Sequence, residues 1–126
     1  MKYTHEFRTI AGLTSCTIDV TDETLKCLEK NGAPVELLGS LAKQKERLQA
    51  IFRSTLEIAD KDIDKKTYET LRLTILTSLS EILDEYCQTV NTALPNMDTE
   101  HQDDILYLLG MTNRQSTTIK NKIGLK

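Results

Sequence analysis

Between residues 67 and 93 the apolar side chains Tyr68, Leu71, Ile75, Leu76, Leu79, Ile82, Leu83, Tyr86, Cys87 and Val90 recur at spacings of mostly three and four. At 100° per residue they cover an arc approaching half a helix surface. Thr70, Thr74, Thr77, Glu81, Asp84, Glu85 and Gln88 fall mostly on the opposite side. One neighbour cannot bury a stripe that broad. It predicts the central helix of a bundle, packed on at least two sides. Leu94-Pro95-Asn96 ends it, because the residue before proline is disfavoured in the helical region.

The rest of the chain must supply the partners. Its 126 residues suit a single domain, 1–126, large enough for a core without staples. Five glycines and two prolines are too few for the many tight turns of a sandwich or barrel. Pro34 suits the first turn of a second helix running to Ala59. There Leu37, Leu38, Leu41, Leu48, Ile51, Phe52, Leu56 and Ala59 share one side, opposite Glu36, Lys43, Glu46, Arg47, Arg53 and Glu57. Lys45 interrupts the apolar side, where its stem can lie along the core edge.

The two ends read less regularly. Tyr3, Phe7, Ile10, Leu13, Cys16, Val20 and Leu28 fall roughly on a helical stripe, but Thr9, Thr14, Thr17, Thr21 and Thr24 dilute helix propensity. The segment is expected to be helical, with a break near Asp19–Asp22 where Thr21 can cap a second piece. A short strand over residues 16–20 is the alternative. Asn31-Gly32 stops it. Near the C-terminus, Asp98 or Thr99 caps a short helix through Leu109, and Gly110 stops that one. Residues 112–126 carry Arg114, Lys120, Lys122 and Lys126 with no acid. Their clearly apolar residues are Ile119, Ile123 and Leu125, which predicts a weakly docked basic tail. The expected fold is therefore all-α: an antiparallel bundle of three or four main helices with a short C-terminal helix.

Several chemistries fail on their own requirements. Cys16, Cys27 and Cys87 are an odd set without a CxxC pair and read as small apolar side chains rather than a disulfide or zinc framework. Residues 60–64 open like a calcium loop, yet Lys65 stands where the turn needs glycine, and Leu71 where a bidentate glutamate belongs. No metal or cofactor is expected. His101 is the one base that could reach Cys87 across the Pro95 turn, with no third orienting group or oxyanion loop, so no catalytic residue is assigned. Glu81 and Glu85 lie one turn apart on a wet face. A net charge of −3 argues against a general grip on nucleic acid or anionic lipid. No apolar run approaches a membrane span, and no signal-peptide core follows Lys2, so a cytoplasmic protein is expected.

The run Leu25-Lys26-Cys27-Leu28-Glu29-Lys30-Asn31-Gly32-Ala33-Pro34-Val35-Glu36-Leu37-Leu38, continued by Leu41, Leu48 and Phe52, resembles the helix, break and second helix of small bacterial flagellar export chaperones of the FliT and FlgN kind. The resemblance covers residues 20–95 as an apolar pattern. It implies an antiparallel bundle whose C-terminal helix masks or presents a partner-binding surface, and it carries no individual functional residue across. The expected function is a non-enzymatic helical adaptor or chaperone that binds a helical or acidic segment of another protein, an export or secretion chaperone being one such role. A homodimer is a further option. The expected partner-binding edge is Ile105, Leu106 and Leu109, partly covered by Ile119 and Ile123. The alternative is a small transcriptional regulator with a helix-turn-helix-like section over residues 98–124, turning at Gly110.

Overall fold

The computed structural model describes residues 2–97 and 99–124, with the side chains of residues 99–101 left out. Four long helices, α1 (Thr4–Lys30), α2 (Val35–Ala59), α3 (Lys65–Ala93) and α4 (Thr99–Ile123), run alternately up and down, with a 3₁₀ turn at Leu94–Asn96 after α3. Each helix packs on the next, and α4 returns against α1 to close an antiparallel bundle. The described residues contain no strand.

Local chemistry accounts for most of the boundaries. Gly32 takes a φ of 72°, and the Ala33 N–H donates to the Leu28 carbonyl at 3.0 Å, folding the chain back after α1. Pro34, extended at φ −59° and ψ 145°, leads into α2. The Asp64 carboxylate accepts from the Thr67 N–H at 2.8 Å, so the acid-rich stretch before α3 supplies a helix cap. Hydrogen bonding with Thr67, from its side chain first and its N–H second, holds the Asp64 carboxyl below the usual range.

Residues 4–30 form one unbroken helix, with neither the expected break near Asp19–Asp22 nor a strand at 16–20. The threonines explain the difference. Thr14, Thr17, Thr21 and Thr24 are all buried, and each hydroxyl donates to the carbonyl four residues back, at 2.9–3.0 Å. Each is satisfied within its own helix, so burial leaves no donor orphaned and the weak propensity is overridden by packing.

The C-terminal section differs more. It is one helix rather than a short helix and a loose tail. Gly110 has an ordinary helical backbone, and the left-handed glycine that ends α4 is Gly124, with φ 89°. A glycine inside a helix costs about 1 kcal/mol relative to alanine. Leu109 and Thr112 on either side of it are buried and offset that loss. No helix-turn-helix forms, because its turn is absent. Residues 112–123 are also firmly docked: Thr112, Ser116 and Ile119 are buried. Lys120 Nζ reaches Asp84 at 2.9 Å, and Arg72 donates to the Lys122 carbonyl at 2.7 Å. Ser116 is accommodated in this interface with its hydroxyl 3.4 Å from the Asp84 carboxylate. The expected Asp98 or Thr99 cap lies outside what the structure describes.

The apolar core has two parts. Phe7, Ile10, Leu48, Leu76, Leu79, Leu83 and Ile119 meet toward the end that holds both termini. Leu28, Leu41, Tyr86, Val90, Ile105 and Leu109 meet toward the end built by the α1–α2 and α3–α4 connections, here the loop end. Leu79 is fully buried in the first part. Leu79→Ala should lower unfolding free energy by about 2–5 kcal/mol, as for a buried leucine leaving a cavity. Chemical denaturation followed by circular dichroism measures this.

Candidate functional site

The expected partner-binding residues do not form one exposed edge. Ile105 and Leu109 sit in the loop-end core, while Ile119 lies in the other core with Ile123 packed against it. Leu106 alone is exposed, at 50%. Ile119 and Ile123 cannot shield Ile105 and Leu109, because all four lie along one continuous helix and face inward against other helices. The displaceable-tail arrangement is therefore not what the chain builds. Truncation after Gly110 would strip Thr112, Ser116 and Ile119 from the interior, and the truncated chain should lose cooperative thermal unfolding.

A concave surface lies instead at the loop end. A groove of about 800 Å³ is floored by Leu28, Leu37, Ala33 and Met97, and rimmed by Asn31, Gln88, Thr89, Thr92 and Asn96. Pro34, which lines the groove, is followed by Val35, 81% exposed at the first position of α2. Among the described residues no ionisable side chain lines this groove. Thr89 and Thr92 each donate to the carbonyl four residues back, at 2.8 and 2.9 Å, which leaves their lone pairs as acceptors on the rim. Chemically the site offers an apolar floor with neutral amide and hydroxyl groups around it. That suits a neutral apolar group carried on a backbone that needs hydrogen bonds.

The groove continues along α2 and α3. A second depression is lined by Ser40, Lys43, Gln44 and Arg47 of α2 and by Glu85, Gln88 and Thr89 of α3, so Gln88 and Thr89 belong to both. Arg47 and Glu85 close its far end with a 2.8 Å ion pair between exposed side chains. The wet-face carboxylate Glu85 is thus half of a cross-helix pair, and Glu81 stays exposed. On the other flank of the α1–α2 loop, Cys27 shares a charged depression with Glu23, Lys26, Lys30 and Asp104. Burial, with the Asp104 charge adding to it, pushes the Cys27 thiol up, which is the wrong direction for a nucleophile.

Beneath the grooves the interior is partly polar. Tyr86 is buried with its hydroxyl among those of Thr24, Thr112 and Thr21, none placed to complete a hydrogen bond with it. Burial pushes it up to about 12. Cys87, also buried, is pushed up to about 11 by burial first and the Asp84 charge second. The side chain of His101, its expected partner, lies outside what the structure describes.

The chain matches no family model, no curated protein and no solved structure. No helix among the described residues is long and apolar enough to cross a membrane, and none of their His, Cys, Asp and Glu side chains group as a metal site.

Sequence reasoning missed the groove because it treated Asn31-Gly32-Ala33-Pro34 as punctuation and Leu37 as core. One signal was available. Val35 is an apolar residue off the α2 stripe, directly after a loop. The buried thiol gives a further expectation. Folding holds Cys87 neutral to about 11 against an ordinary 9.0, so the unfolded chain ionises first. Stability that is complete below pH 9.0 is therefore lost as pH rises toward 11. Denaturant titrations at pH 8 and pH 10.5 should show this loss, and Cys87→Ala should reduce it.

Proposed function

We propose that this chain is a non-enzymatic adaptor or chaperone that binds a segment of a partner protein in the groove at the loop end of its bundle. The observation that carries the reading is the composition of that groove: an apolar floor, a rim of amides and hydroxyls, and no ionisable side chain among its described lining residues, beside the exposed Val35. A charged metabolite or a nucleic-acid backbone needs fixed charge in its site. A protein segment needs what this groove holds. The 20–95 apolar pattern supports the same class through its resemblance to small bacterial flagellar export chaperones, and an export or secretion role in the cytoplasm is part of the proposal. The binding surface then lies on the α1–α2 loop and the end of α3, not on Ile105–Ile123.

Affinity capture from the source cell's lysate, with nuclease present, tests this. Thr92→Arg places a bulky cation in the groove from an exposed position. Leu73→Lys changes an exposed leucine near the opposite end. A protein retained by the wild type and by Leu73→Lys should be lost by Thr92→Arg. Equal recovery on all three would remove the groove from consideration.

A further inference from the structure

The groove reading leaves open what kind of segment enters it, and the seam between α2 and α3 narrows the choice. Three observations bear on it. The rim groups Thr89, Thr92 and Gln88 are hydroxyls and an amide, spread along the α3 wall over more than one helical turn. A helical ligand satisfies its own backbone and asks for a continuous apolar wall. An extended one presents unpaired N–H and C=O groups at every residue and asks for polar walls. The seam has the polar walls. Second, the apolar floor is confined to the loop end, around Leu28, Leu37 and Met97, which makes room for one or two large side chains rather than a helix face. Third, the seam carries unequal charge. Arg47 is paired with Glu85, but Lys43 has no carboxylate partner among the described residues.

Resting on the groove reading, we propose that the partner segment binds in extended form along the α2–α3 seam, an apolar side chain seated at the loop end and a carboxylate reaching Lys43. The spacing follows from helix and strand geometry. Leu37 and Lys43 are six positions apart on α2, about 9 Å along its axis. An extended chain covers that distance in about three residues. The recognition element is thus a large apolar residue with Asp or Glu about three positions away, and an intervening backbone that donates to the threonine hydroxyls.

The full chain can be panned against a phage-displayed library of random dodecapeptides, in parallel with Thr92→Arg and Lys43→Glu. Both variants alter exposed side chains, and matching thermal unfolding checks their fold. The expected result is enrichment of an apolar residue spaced about three positions from an acid. Thr92→Arg should lose these sequences. Lys43→Glu should bind them severalfold more weakly, and its own selection should replace the acid by Lys or Arg. Two other outcomes count against the proposal in different ways. Sequences that depend on Thr92 but show helical apolar spacing, or an apolar anchor indifferent to Lys43→Glu, overturn the extended acidic segment and leave the groove reading standing. If no enriched sequence is sensitive to Thr92→Arg, the groove itself is not the site, and both readings fall.

Discussion

The bundle depends on how closely α1 can approach its neighbours. Its buried face is built over residues 14–24 largely from threonine, whose volume is small and whose hydroxyl is consumed inside the helix. A face of leucines would hold α2 and α4 farther away. A face of alanines would leave voids, since interiors are packed at near-crystal density. Threonine lies between these limits. Register is then set at the two ends, where Phe7 and Ile10 on one side and Leu28 on the other bracket the small residues with large ones.

That choice has consequences for the interior. Gln44 from α2, Thr112 and Ser116 from α4, and the Tyr86 hydroxyl from α3 are buried along with the α1 threonines, and the large apolar side chains collect on either side. Ion pairs at the periphery cross the same region. Lys45 reaches Asp22 at 2.7 Å and Arg47 reaches Glu85. The Lys45 contact, reinforced by Lys26, holds the Asp22 carboxyl below its ordinary range. The exposed Arg47–Glu85 pair contributes little stability, the Lys45–Asp22 pair is half-buried, and both chiefly define which helix faces which. The loop-end core therefore sits as its own apolar unit directly under the groove, with Leu37 and Met97 packed against it from above.

What the residues revealed in advance divides along physical lines. The α2 and α3 stripes are dense in large aliphatics, and burial of such side chains outweighs local propensity, so both helices and the Asn31-Gly32 break were legible. The α1 threonines were misleading, because propensity is measured on exposed residues that compete with water, whereas these bond their own helix in a dry interface. Gly110 was misleading for a related reason: a glycine stops a helix only when flanking contacts fail to hold it, and Leu109 and Thr112 hold. Ser116 and Thr112 dock α4 although both are polar. Their docking depends on Asp84 and on the hydroxyl-lined interior, neither of which is visible until three helices are assembled. The groove was illegible because it is made by the meeting of two connections, and no single stretch of chain encodes it.

Arg72 has a topological consequence. Its guanidinium holds the Glu6 carboxylate at 3.2 Å and the Lys122 carbonyl at 2.7 Å, so the start of α1, the start of α3 and the close of α4 are gathered at one point. A helix as long as α1 spans about 40 Å at 1.5 Å per residue, so that point and the groove lie at opposite poles of the molecule. A chain joined before α1 or after α4 is attached at the pole opposite the concave surface. A tether, a fused domain or a surface attachment at that pole would present the groove outward, unobstructed, like the open end of a tool held by its handle.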